Sequence, residues 1–214
     1  VGEIKGLKTG RVRIGTFSSV TIQWLPGLLS GFGAKYPGIE TVIFNETYAA
    51  VETALLNRRV DCAFVRLPSR TEFQTRFLAS DRLMVILPEG GRLADRSILA
   101  VSDLIGLPFI VPAEGTNYDI GSLFRQEDAV PDIRFDANDD YAAAAMVQKG
   151  LGYTILPELM VLDQLLPGIT AVPIVNSERT VGIAWNASCC PAPAVKAFIE
   201  FAAESIADKR QKSR

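Results

Sequence analysis

Apolar and polar positions change their period several times along the chain. RVRIGTF (11–17) alternates and is rich in β-branched residues, which predicts a strand. From about Val20 to Lys35 the residues Ile22, Leu25, Leu28, Leu29 and Phe32 recur at helical spacing, with Pro26-Gly27 placed to kink the helix early. KYPG stops it and IETVIF predicts a second strand. Glu46 to Arg58 predicts a helix with Val51, Ala54 and Leu55 facing inward, and VDCAFVR a third strand. Strands separated by helices imply right-handed crossovers and parallel pairing.

The rhythm then changes. TRFLASDRLMVILPEG predicts one long extended segment, and LPFIVPAEGTN opens a second series of strand–helix units. A helix from about Tyr118 to Glu127, strand IRFDA, and a helix from about Asp139 to Lys149 follow, the last closed by Gly150 as a left-handed cap. GYTILP predicts a strand, ELMVLDQLL a short helix, and ITAVPIV and TVGIAWN two strands. A final helix carries Val195, Phe198, Ile199, Ala202 and Ile206 at core spacing behind Pro191 and Pro193. The result is an α/β chain of two Rossmann-like lobes, with crossings near Asp81–Pro88 and Thr180–Asn186. The division places 11–85 and 185–214 in lobe I and 86–184 in lobe II. Ligands of open α/β sheets bind beyond the carboxyl ends of the strands, and two lobes joined by two strands can face such ends across a cleft.

The residues after each strand are therefore the candidates: Phe17, Ser18 and Ser19; Arg66 and Leu67; Glu114 to Asn117; Asn138 and Asp139. Small hydroxyls, amides and helix starts suit a carboxylate or another small anion. Each has a plainer reading. Ser19, Asn138 or Asp139 can serve only as helix caps, and Gly115-Thr116-Asn117 only as a turn. Arg66 ends an apolar strand and needs a partner, which is Asp61, a carboxylate across the lobes, or a ligand. Asp139-Asp140 makes a poor acid–base pair, because adjacent helical residues do not share a face.

Composition narrows the functions. The 214 residues are 48% hydrophobic and 21% charged, enough for a sizeable core, and no apolar run reaches membrane-spanning length. The net charge is −2, yet Lys209, Arg210, Lys212 and Arg214 crowd the last six residues; without these four the rest stands at −6. An acidic body is a poor partner for a phosphate backbone, and the basic tail reads as a solvated end. Three cysteines without a CxxC suit a reducing compartment, with Cys62 read as a packed thiol. There is no histidine, which removes the usual general base of triad catalysis and the commonest zinc ligand.

VRIGTFSSVTIQWLPGLLSGFGAKYPGIE, ETALLNRRVDCAFVR, LMVILPEGGRLA, VSDLIGLPFIV, MVQKGLGYTILPELMV and PAVKAFIEFAAESI stand in an order and spacing that resemble the effector-binding domain of LysR-type transcriptional regulators. The resemblance implies a type 2 periplasmic-binding-protein-like fold holding a small-molecule effector between its lobes. It places effector contacts at Ser18, Ser19, Arg66, Leu67, Thr116, Asn117 and Asn138, with no catalytic residue, cofactor or metal. Phe17 departs from the pattern, where relatives carry a small hydroxyl residue; its ring would narrow the cleft or turn away. The resemblance further implies a cytoplasmic homodimer, tetrameric in the full-length protein. DNA would be bound only through an N-terminal helix-turn-helix domain, with residues 1–10 ending the linker from it. The alternatives are a free solute-binding protein for transport and an enzyme on the same fold.

Overall fold

A computed structural model describes residues 9–161 and 166–212, with side chains through residue 208. Residues 1–8 of the expected linker end (1–10), the middle of ELMVLDQLL and the exposure of the basic tail lie outside the described residues, and Gly10 already opens the first strand. The chain divides into one unit of Val1–Ser80 with Thr180–Arg214 and a second of Asp81–Arg179.

In the first unit, β1 (Gly10–Thr16) buries Val12 and Ile14 completely. It pairs in parallel with β2 (Ile39–Asn45) and with β3 (Cys62–Leu67). Gly15 lies under α3 (Tyr48–Leu56): a Cβ there would come within 3.0 Å of both Ala63 Cβ and Val51 Cγ1. The helix expected over 20–35 is two helices, α1 (Ser18–Gln23) and α2 (Leu25–Lys35), meeting at Trp24. Pro26 is the cause: it lacks an N–H and its ring crowds the preceding turn, so it is accepted only in the first turn of a new helix.

Two strands run through both units. β4 (Phe73–Pro88) is the long extended segment read from sequence. β8 (Ile169–Asn186) is a single strand of 18 residues rather than the two expected. Its later part pairs antiparallel with β3, and a Cβ on Gly182 would lie 2.8 Å from both the Arg76 carbonyl and Leu67 Cδ1. The closing helix, α7 (Pro193–Lys212), buries all five residues read as its core face, with Phe198 edge-on to Phe32 at 5.2 Å.

In the second unit β5 (Pro108–Val111) pairs in parallel with β6 (Asp132–Asp136), and Phe109 bridges to Tyr153 beside β7 (Thr154–Pro157). β7 pairs antiparallel with β4. α4 (Glu114–Gln126) begins four residues before the expected Tyr118. α5 (Asp140–Gln148) closes on Gly150 at φ +74, α6 (Glu158–Val161) follows β7, and a short 3-10 helix (Val101–Leu104) was not expected.

The first and last residues of this unit form a buried ion pair. Arg179 Nε donates to Asp81 Oδ1 at 2.8 Å and Nη2 to Oδ2 at 2.6 Å, with side chains 2% and 5% exposed. The Leu159 N–H at α6 donates to the same carboxylate at 3.2 Å, and Asp119 of α4 lies 3.9 Å from Arg179 Nη1. Removing the cation leaves two carboxylates sealed from water. Arg179→Met should therefore lower the free energy of urea unfolding by about 3–5 kcal/mol. The exposed pair Arg134–Asp132 is the control, and Arg134→Ala should cost less than about 1 kcal/mol. Equal losses in the two variants would contradict the role given to Arg179.

Candidate functional site

The two serines after β1 are not caps. Phe17 holds the N-cap position of α1 with extended backbone and no side-chain capping bond, so Ser18 and Ser19 occupy the first turn. Their N–H groups precede the first helical bond, from Thr21 N to the Phe17 carbonyl at 2.9 Å, which leaves them outside the helical ladder. Ser18 is half-buried and Ser19 is buried. The Phe17 ring turns into the unit and meets Tyr48 edge-on at 4.7 Å. The Thr21 hydroxyl sits 3.0 Å from Thr16 Oγ1, 3.1 Å from the Phe17 carbonyl and 3.0 Å from Asn45 Oδ1. This cluster fastens the start of α1 to the ends of β1 and β2. Its signal in sequence was a hydroxyl four residues beyond Phe17.

Arg66 and Leu67 end β3, both half-buried. Asp61, one of the three partners open to Arg66, is committed to Arg13, which approaches it through Nη2 at 2.6 Å, Nε at 3.1 Å and its backbone N–H at 2.8 Å. Burial alone would raise the Asp61 carboxyl; the bonds from Arg13 outweigh it and hold the group below the usual carboxylate range. Leu67 packs against the core under α3 and over Gly182, so its side chain is structural. Cys62, fully buried, has its thiol pushed up by that burial and serves as packing.

In the second unit Thr116 and Asn117 belong to the first turn of α4, not to a free turn. Gly115 and Thr116 N–H precede the first helical bond, Asn117 N to the Ala113 carbonyl at 2.9 Å. Thr116 is 6% exposed and its hydroxyl is hydrogen-bonded to Asp140, whose Oδ1 also accepts the Ala113 N–H at 3.2 Å. Asp140 thereby joins the starts of α5 and α4. Asp139 is the cap of α5, accepting the Ala142 N–H at 2.7 Å. Asn138 stands one residue earlier at φ +47, exposed, its N–H on Asp136. The adjacent acids thus divide into an exposed cap and a buried brace. Among the described residues no group of His, Cys, Asp and Glu side chains could hold a metal.

Residues 5–207 match the family model described as the LysR substrate binding domain. The chain belongs to that family. It is 31% identical over 202 residues to an uncharacterized HTH-type transcriptional regulator, YvbU, of Bacillus subtilis (strain 168), covering 94% of this chain and 69% of that protein. The regulatory domain of CcmR from Synechocystis PCC6803, in complex with 2-PG, superposes with a TM-score of 0.84 at 20% identity, over 92% of this chain and 98% of that one. The effector binding domain of QuiR, in complex with shikimate, gives 0.81 at 21%, over 94% and 98%. At these identities the likeness speaks to the fold, and the expected type 2 periplasmic-binding-protein-like α/β architecture is borne out.

The brace at Asp140 has a pH signature. Burial raises its carboxyl, with Asp139 adding to the effect, against the Thr116 and Ala113 bonds and the Arg179 charge. Its contribution is fully present below the ordinary carboxylate value of about 4 and is lost as pH rises through the raised value. Asp140→Asn should therefore gain stability relative to the parent chain as pH climbs from about 4 to about 7. Urea unfolding across that range checks this; a difference that does not change with pH would refute it.

Proposed function

We propose that this effector-sensing domain binds a small carboxylate at the helix starts that lie beyond its parallel strands. The observation that carries the reading is that α1 and α4 each open directly beyond a parallel strand, with first-turn N–H groups left outside their own ladders. Ser18, Ser19 and Arg66 would supply hydroxyls and a cation from the first unit, with Leu67 bounding them. Thr116 would contribute its backbone N–H, because its hydroxyl serves Asp140, and Asn117 and Asn138 their amides. Shikimate and 2-PG in the QuiR and CcmR complexes fit a ligand of this size.

The domain's role is sensing rather than catalysis, since both candidate acids are committed, Asp139 to capping α5 and Asp140 to bracing α4. The effector would shift the population of domain arrangements, and the helix-turn-helix domain of the parent protein would read that shift on DNA. A parent protein that reads DNA in this way would work in the cytoplasm. Among the described residues no helix is long and apolar enough to cross a membrane. A homodimer, paired to a tetramer in the full-length protein, would use outer strands with exposed apolar residues, such as Ile43 on β2 and Ile133 and Phe135 on β6.

Calorimetry with a panel of small carboxylates, shikimate and 2-PG among them, tests the site. Arg66→Ala should weaken the best binder by about 1.5–3 kcal/mol, and Ser19→Ala and Asn117→Ala by about 0.5–1.5 kcal/mol each. Unchanged affinity in all three variants would exclude these residues from the site. Sedimentation should show a dimer that Phe135→Glu converts to monomer; a variant that stays dimeric would place the interface elsewhere.

A further inference from the structure

The second unit carries a cavity of about 500 Å³ at the other end of the strand that leads to Thr116 and Asn117. β5 starts in its wall at Pro108 and ends at Val111, just before α4. The volume lies within the range of about 300–1,000 Å³ typical of small-molecule sites.

Its floor is apolar: Leu87, Leu93, Leu107 and Tyr153 line it, and all four belong to or pack on the same buried core cluster. The shape is set by backbone. Gly152 lies so close to β5 that a Cβ would stand 2.3 Å from the Pro108 carbonyl, and Tyr153 N–H bonds that same carbonyl at 2.9 Å. Gly90, at φ +71, lets the chain turn back after β4, bringing Arg92 and Arg96 to the rim.

The rim is charged unevenly. Neither the Arg92 nor the Arg96 guanidinium has an ion-pair or hydrogen-bond partner among the described residues. The single carboxylate of the lining, Asp103, is occupied by the Ala100 N–H at 2.9 Å, closing the 3-10 turn. Two exposed guanidiniums over an apolar floor complement a ligand with a hydrophobic body and an anionic head. Ile105, 58% exposed beside them, extends the apolar surface to the mouth.

We propose that this cavity is a second small-molecule site, selective for a compact aryl or alkyl carboxylate and separate from the strand-end residues. It stands on its own geometry, so its failure would leave the strand-end reading untouched.

Methyl NMR on the chain with ¹³C-labelled Leu and Ile tests it, with 3-phenylpropionate, indole-3-acetate and hexanoate as probes and 3-phenylpropan-1-ol as the neutral control. At least one acid should shift the methyls of Leu87, Leu93, Ile105 and Leu107 along a saturable curve, with the alcohol binding at least about fivefold more weakly. Arg92→Ala combined with Arg96→Ala should weaken the acid at least about tenfold while other methyls keep their positions. Ser19→Ala and Arg66→Ala should leave these shifts unchanged. The proposal is overturned if no acid gives a saturable shift at these methyls, if the alcohol or the double variant binds as well as the acid does to the parent, or if shifts appear only in the first unit.

Discussion

Arg179 is the constraint on which the second unit depends. Its guanidinium, almost wholly removed from water, joins β8 to β4 through Asp81, reaches Asp119 on α4, and shares Asp81 with the N–H that opens α6. A charge buried this deeply is tolerable only when its donors are met, so these four elements can take only the arrangement that meets them. The same guanidinium bears on Asp140, and Asp140 holds Thr116 and Ala113 at the start of α4. The first turn of α4 is thus held by Asp140, with the Arg179 charge bearing on that carboxylate.

The first unit reaches a similar handover by cheaper means. There the Thr16–Thr21–Asn45 hydroxyl and amide cluster, not an ion pair, ties α1 to its strands. Phe17 anchors the turn by burying its ring against Tyr48, which fills the place where the family resemblance led to a small hydroxyl residue. The two units therefore present alike helix starts built on unlike supports. The second support is buried and charged, the first is partly exposed and neutral.

Much of the fold was legible because its information is local. Alternation located β1, β2 and β3, and the apolar stripe of α7 was read residue by residue. Errors fell where a neighbour decides. Pro26 predicts a kink but starts a new helix at Leu25, and β8 reads as two strands because the polar run Asn176–Arg179 interrupts its apolar pattern. α4 begins four residues early because Asp140, 27 positions from Ala113, accepts its N–H and steadies the start. The Asp81–Arg179 pair spans 98 positions and leaves no periodic trace, although both residues stand beside the expected crossings. At the candidate site, positions were readable while roles were not. The serines are first-turn residues instead of caps, and Thr116 has its hydroxyl occupied.

The central claim is that a small carboxylate is sensed at the helix starts beyond the parallel strands. Amide hydrogen exchange, with and without the tightest-binding carboxylate of the calorimetric panel, addresses it most directly. The account predicts slowed exchange at a helix start, residues 18–21 or 114–117, that saturates with ligand. Protection at neither of these turns while the ligand is demonstrably bound would contradict it.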